Sequence, residues 1–282
     1  MPLVTMNEIL IPARAGKYGV GAFEFWSVDS AQAVVEAAEE QNMPVILQAG
    51  KLECDFAGGV KSLQKIGQWA AENVSIPVAL HIDHAEEYDF ICEAIDAGWT
   101  SVMIDASSKS FKENVELTRK VVEVAKKAGV TVEAELGHVG GSEGNISVNE
   151  QEAAQTDPDE AKLFVEETGI DALAVAIGTV HGFYNFEPKI NIERLQKIAE
   201  KVSIPLVLHG GSGTPDAKVQ EAVANGISKI NICTEFVAAF GKQYTATQNQ
   251  EGFKYSIPGL FGPSKAAGKA LAASKIKLFS LK

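Results

Sequence analysis

Eight times along this chain a short apolar run gives way to a longer segment with helical periodicity, and that alternation limits the fold more than anything else in the sequence. The short runs are GVGAFEF (19–25), PVILQ (44–48), PVALHID (77–83), TSVMIDA (100–106), TVEAEL (131–136), DALAVAIG (171–178), PLVLHGG (205–211) and ISKINIC (227–233). Between and after them come SAQAVVEAAEE (30–40), VKSLQKIGQWAAE (60–72), EYDFICEAIDAG (87–98) and FKENVELTRKVVEVAKKAG (111–129). A helix starting near Asp157-Pro158 follows, then IERLQKIAEK (192–201), DAKVQEAVANG (216–226) and TEFVAAFGKQYTATQ (234–248). Strands that alternate with helices pair in parallel through right-handed crossovers. Eight such units in roughly 250 residues predict a closed (β/α)8 TIM barrel. A doubly wound open sheet is the competing arrangement, but no GxGxxG follows the first strand. No shift in composition marks a boundary, so residues 1–282 are expected to form one barrel domain. The tail PSKAAGKALAASKIKLFS (263–280) predicts one extra C-terminal helix.

The totals narrow the function classes. A net charge of −12 argues against a nucleic-acid surface, which needs clustered Lys and Arg, but leaves room for a small phosphorylated ligand in a local pocket. Cys54, Cys92 and Cys233 form neither a CxxC pair nor an even-numbered framework, as expected of reduced thiols in a cytoplasmic protein. The start MPLVTMNEIL lacks the basic and apolar regions of a signal peptide, and no apolar run nears the roughly 20 residues of a membrane span. No membrane association is expected.

Barrel chemistry sits at the C-terminal ends of the strands. The polar residues that interrupt the apolar runs fall there: Asp83 and His84 after the third strand, Asp105 after the fourth, Glu135 in the fifth, His181 after the sixth, His209 after the seventh and Asn231 in the eighth. His84, His181 and His209 would converge on the barrel mouth, and three imidazoles with an open fourth position describe a catalytic zinc site. Asp83, beside one of them, is either an orienting group or a proton-transfer group. Asp105 and Glu135 are either alternate metal ligands or structural partners of nearby N–H groups. His81 shares a strand face with Asp83 and reads as a structural histidine. LHGGSG (208–213) follows the seventh strand, where glycines let backbone N–H groups approach an anion; the alternative is a plain tight turn. NICT (231–234) adds an amide and a hydroxyl, with Thr234 also a candidate helix cap. The loop GHVGGSEGN (137–145) is either a mobile lid carrying Glu143 as an acid/base or a solvated surface loop.

Taken together, HIDH (81–84), SVMIDAS (101–107), VEAELGHVGG (132–141), DALAVAIGTVHG (171–182), PLVLHGGSG (205–213) and KINICTE (229–235) resemble, in order and over almost the whole chain, the signature segments of the class II, zinc-dependent ketose-bisphosphate aldolases. The resemblance implies reversible cleavage of a phosphorylated ketose, of the ketose 1,6-bisphosphate type, to dihydroxyacetone phosphate and an aldehyde. It implies Zn2+ on His84, His181 and His209, with Asp105 and Glu135 able to take a displaced ion. Asp83 then corresponds to the general acid/base and Glu143 to a lid carboxylate that exchanges the proton of the three-carbon fragment. Gly182, Gly210, Gly211, Ser212, Asn231 and Thr234 correspond to the dihydroxyacetone phosphate site. Some members also bind a monovalent cation (Na+ or K+) near the phosphate, and most are homodimers or homotetramers. The pattern departs from many relatives at Glu24 (for Asn), Ala49-Gly50 (where Ser is frequent), Cys233 and a C-terminal EGFKYSIPGLFGPSK without a PRKYL-like segment. These departures fall on the half of the pocket that chooses the aldehyde. A family member acting on a different phosphorylated sugar or sugar acid is one alternative. A zinc-dependent hydrolase, which gives no reason for a phosphate loop, and a non-catalytic phosphosugar-binding protein are the alternatives from other classes.

Overall fold

The structure, a computed structural model, describes residues 3–143, 146–148, 155–183 and 188–281, with the backbone alone at 141–143 and 146–148. Eight strands close into a parallel barrel: β1 (Val20–Glu24), β2 (Val45–Ala49), β3 (Val78–Ala85), β4 (Ser101–Ile104), β5 (Thr131–Leu136), β6 (Ala172–Val175), β7 (Leu206–Leu208) and β8 (Ile227–Ile232). Neighbours in sequence are neighbours in the sheet, and β1 closes the ring on β8 in the register Ala22↔Asn231. The (β/α)8 expectation is met.

Strand alternation sorts the side chains into two environments. Outward residues such as Phe23, Leu47, Leu80, Ile82, Val102, Val132 and Ile230 pack under the helical ring in one large apolar cluster. Inward residues form a second, smaller cluster at the bottom of the barrel, built on Ala22, Ile46, Ala79, Ala172, Ala174 and Val207. These inward residues are mostly small because a helix fills the space below them. Met6–Gly16, whose Met6, Ile9, Leu10 and Ala13 are buried, plugs the barrel floor. Its start is fixed by a reciprocal capping box between Thr5 and Glu8. Met6, Ile9, Leu10 and Ala13 follow the i, i+3, i+4, i+7 spacing of one helix face, but they precede the first strand and so lie outside the strand–helix alternation.

Above the alanine layer the barrel interior turns polar. Gln48, His81, Asp83, Ser101, Glu133, Glu135, His209, Lys229 and Asn231 all point inward and are all buried. The register places Gln48 beside His81, and His81 beside Ser101, so these groups form one continuous layer.

Two further elements frame the mouth. A short helix, Lys51–Phe56, follows β2 directly. A small sheet joins Gly140–Glu143 to Ile146–Val148 on one side and to Val180–His181 on the other, in the register Gly141↔His181. The C-terminal helix runs Ile257–Phe279, beginning before residue 263 and accommodating Pro263 near its start. No helix among the described residues is long and apolar enough to cross a membrane.

Candidate active site

His84, the next-to-last residue of β3, lies in the left-handed region, with φ of 45°. That backbone conformation is uncommon for a side chain larger than Gly or Asn and marks a constrained position. It breaks the inward–outward alternation, so Asp83 and His84 both face the barrel mouth. His84, His181 and His209 bring one ring nitrogen each within 4.8 Å of one another. The His84 ring lies 4.5 Å from that of His209 and 5.0 Å from that of His181, centroid to centroid.

Glycine backbone geometry holds two of these histidines together. Gly210, which follows His209, has φ of 67°, and a Cβ there would stand 2.4 Å from the Val180 carbonyl oxygen. Only glycine lets the β7 loop lie directly beneath the strand that carries His181. A Cβ on Gly211 would stand 2.7 Å from the Asn231 carbonyl oxygen, so the same loop is pressed against β8.

Carboxylates set the tautomers. His84 Nδ1 is 2.8 Å from Asp105 Oδ2, and His209 Nε2 is 2.9 Å from Glu133 Oε1. Both acids are ionised. Burial opposes this, but His84 and Ser107 draw Asp105 well below the usual carboxylate range. For Glu133, Lys229, His81 and His209 likewise outweigh burial and hold it at about 2. An ionised carboxylate only accepts, so His84 Nδ1 and His209 Nε2 must carry protons. The remaining nitrogens, His84 Nε2 and His209 Nδ1, face each other at 2.7 Å. Two imidazole lone pairs at that distance repel unless a cation lies between them. In the metal-free protein a proton on His84 Nε2 fills that role: burial lowers its pKa, but Asp83, Asp105 and Glu135 raise it overall to about 10. Burial and the His84 charge push His209 down to about 4, so it stays neutral. Ring nitrogens converging from three elements, those of His84 and His209 each oriented by a carboxylate behind the ring, also suit a divalent metal once the His84 proton is lost. A carboxylate oxygen adds to this: Glu135 Oε2 is buried without a hydrogen bond and sits 3.8 Å from His209 Nδ1. Burial and Asp105 raise Glu135 to about 8. With His84 and Asp105 it forms a second triad of close ligand atoms, the alternate set read in the sequence.

Asp83 is buried beside this centre. Its carboxylate accepts from Gln48 Nε2 at 3.0 Å and from Asn231 Nδ2 at 3.0 and 3.2 Å. Burial would raise its pKa, but His84, His81, Lys229 and His209 together hold it well below the usual range. The residue is a fixed carboxylate at the mouth.

A family model described as "Fructose-bisphosphate aldolase class-II" matches residues 4–282. Fructose-bisphosphate aldolases of Staphylococcus epidermidis and Staphylococcus aureus are 42% and 43% identical over 99% of this chain and 98% of their own length. Among solved structures, the YdjI aldolase of Escherichia coli K12 superposes with a TM-score of 0.86 at 36% identity, covering 98% of this chain and 97% of its own. The fructose-bisphosphate aldolase of Campylobacter jejuni, at 24% identity and a TM-score of 0.81, shares the fold over 99% of this chain and 96% of its own. The chain belongs to the class II fructose-bisphosphate aldolase family. It is an aldolase, a carbon–carbon lyase, of a metal-dependent family.

In this aldolase the remaining sequence-derived positions fall as follows. Ser212 is buried and its Oγ accepts from the Glu235 amide at 3.2 Å. Gly182 has φ of 88° and follows His181 directly. Asn231 faces inward, and its Nδ2 donates to both oxygens of Asp83. Thr234 is the first residue of helix Thr234–Gln248, and the cap position belongs to Cys233, which makes no side-chain cap. The expectation that Thr234 caps the helix is therefore corrected: the chain turns helical one residue earlier. Glu143 ends its strand, and its side chain lies outside the described residues.

Three further residues complete the site. Glu133 sits in an ordinary-looking β-strand, yet it touches His209, stands 2.9 Å from Lys229 Nζ and lies 3.6 Å from His81 Nε2. Lys229 is fully buried against it, with its Nζ paired to the Glu133 carboxylate. Gln48 ties Asp83 to β2. Period-two alternation would have exposed all three, since each is a polar residue on the inward face of a strand. His81 is fully buried, with Nδ1 2.7 Å from Ser101 Oγ and Nε2 3.6 Å from both Asp83 and Glu133.

Proposed function

We propose that this aldolase reversibly cleaves a phosphorylated ketose, of the ketose 1,6-bisphosphate type, into dihydroxyacetone phosphate and an aldehyde, in keeping with relatives named fructose-bisphosphate aldolase. The observation that carries the proposal is the facing pair His84 Nε2 and His209 Nδ1, joined by His181, with Asp83 fixed alongside. His84, His181 and His209 would hold the metal, for which zinc is proposed, and it would supply a Lewis acid for the C2 carbonyl.

The chain's own residues do the rest. Asp83, oriented by Gln48 and Asn231, takes the proton of the C4 hydroxyl. The C3–C4 bond then breaks, C4 becomes the aldehyde carbonyl, and the electron pair passes to C3 and the C2 carbonyl. Glu143, assigned from the family pattern, returns a proton to C3. Gly182, Gly210, Gly211, Ser212, Asn231 and Thr234 hold the dihydroxyacetone phosphate half. The support for this is a glycine-rich loop packed against β8 and the start of helix Thr234–Gln248, whose dipole favours an anion. A monovalent cation, Na+ or K+, is assigned to the phosphate side. The enzyme is further proposed to act as a single barrel domain, as a homodimer or homotetramer, in the cytoplasm.

The test is purification with metal analysis, followed by dihydroxyacetone phosphate release from a ketose phosphate panel with and without chelator. Zinc-dependent release is expected. Activity insensitive to complete chelation would overturn the mechanism.

A further inference from the structure

We infer that Glu235 is a positioning residue for the substrate phosphate, and that Lys275 of the C-terminal helix locks it in place. The inference rests on the reading that the loop after β7 holds the phosphate of the ketose. It adds what fixes that loop in shape.

Glu235 lies in the first turn of helix Thr234–Gln248, just after β8. The helix dipole favours an acid in a first turn, which would account for the residue and nothing more. Its contacts go further. Glu235 Oε1 accepts from the Gly213 amide at 2.7 Å, while its own amide donates to Ser212 Oγ at 3.2 Å. Two consecutive residues of the β7 loop are thus clipped to one residue 22 and 23 positions away. Gly213 has φ of 75°, so the loop turns sharply at the clipped amide. The Ser212 contact also has a direction. A hydroxyl that accepts still has its hydrogen to give, and among the described residues no acceptor takes it. Ser212 is buried, and a phosphate oxygen is an acceptor that suits such a donor.

Glu235 is held from behind. Its Oε2 lies 2.9 Å from Lys275 Nζ, which also stands 3.7 Å from Asp216 Oδ1 in the first turn of helix Asp216–Ala224. Lysine is seldom buried unless paired, and Lys275 is buried. One ammonium thereby joins the helices that follow β7 and β8, and it does so from a fixed base. Ala272, Ile276 and Phe279 on the same helix are buried, and the Phe279 carbonyl accepts from the Gly19 amide at 2.9 Å, at the entrance to β1. The pairing has two effects. It holds the Glu235 carboxylate where it reaches Gly213, and it offsets a negative charge that would otherwise repel a phosphate at this loop.

The test measures binding of two ligands to the zinc-loaded enzyme: dihydroxyacetone phosphate, and acetohydroxamate, which ligates zinc but carries no phosphate. Lys275→Met should weaken dihydroxyacetone phosphate about 10-fold or more, the worth of one charge-assisted hydrogen bond, with acetohydroxamate affinity unchanged. Glu235→Gln and Glu235→Ala remove the same charge, but only glutamine keeps an oxygen for the Gly213 amide. Glu235→Ala should therefore bind dihydroxyacetone phosphate about 10-fold more weakly than Glu235→Gln. A Lys275→Met enzyme that weakens both ligands alike, or neither, overturns the inference while leaving the phosphate-loop reading intact. So does equal affinity of the two Glu235 variants for dihydroxyacetone phosphate. The Glu235 pair decides alone should Lys275→Met fail to fold. Wild-type enzyme that does not bind dihydroxyacetone phosphate overturns the phosphate-loop reading, and the inference with it.

Discussion

His84 Nε2 and His209 Nδ1 stand 2.7 Å apart at the barrel mouth, and the far nitrogen of each ring is held by an ionised carboxylate, Asp105 for one and Glu133 for the other. The pair is thus built to share a cation, and Glu133 is the hinge of the arrangement because it also neutralises Lys229. Glu133→Gln should weaken metal binding by about 10- to 100-fold, the usual effect of removing a carboxylate behind a ligand histidine. It should also leave Lys229 as an uncompensated buried charge, destabilising the metal-free protein by about 3–5 kcal/mol. Adding Lys229→Met should recover most of that stability but not the metal affinity. Chelator competition and urea unfolding separate the two effects; wild-type metal affinity in Glu133→Gln would refute the orienting role.

Asp83 makes a different prediction, because its contacts are to amides and not to the metal-facing nitrogens. Asp83→Asn keeps the shape between Gln48 and Asn231 but cannot accept a proton. Turnover should fall by about 100- to 10,000-fold, the range for loss of a general base, with stoichiometric zinc retained. Metal analysis alongside steady-state rates decides it, and near-normal turnover with bound zinc would remove Asp83 from proton transfer.

Proton competition gives the site its pH dependence. In the metal-free protein His84 titrates at about 10 against an ordinary 6.5, with burial working against the shift and Asp83, Asp105 and Glu135 overcoming it. At pH 7 a metal ion must therefore displace the His84 proton, whereas His209, at about 4, is already neutral. Metal affinity should rise about tenfold per pH unit below 10, with one proton released per ion bound at pH 7. The linked stability has the opposite trend. A raised folded pKa means that the His84 contribution is complete below pH 6.5 and is lost as pH climbs through about 10. Calorimetry in buffers of different ionisation enthalpy counts the protons, and uptake without proton release would contradict the assignment.

How much of this was visible in the sequence depended on contrast. His84, His181 and His209 stood out because histidine is scarce in this chain and each falls at the end of an apolar run. The barrel was legible for the same reason, since eight alternations leave few topologies open. Glu133 was not singled out because a charged residue inside a strand reads as a solvated face until its alternation is set against a closed ring. The floor plug Met6–Gly16 has a helical spacing in Met6, Ile9, Leu10 and Ala13, but it precedes the first strand–helix unit and so fell outside the alternation that defined the barrel. Glu24 was visible as a departure from the family pattern, but its bridge through Gln48 to Asp83 needed the β1–β2–β3 register.

The glycine behind His209 carries the last prediction. Gly210 combines a φ of 67° with a virtual Cβ 2.4 Å from the Val180 carbonyl oxygen, and that oxygen belongs to rigid backbone that cannot swing aside. Gly210→Ala must therefore either strain the left-handed turn or push the β7 loop off the Val180–His181 strand. The first costs about 1–3 kcal/mol; the second separates His209 from His181. Either way the metal-free protein should unfold at lower urea. Displacement should in addition weaken zinc and raise KM for the ketose phosphate, because the same loop is proposed to hold the phosphate. An alanine variant with wild-type stability and KM would mean that the loop accommodates a side chain and that the close approach of Gly210 to Val180 does not position the site.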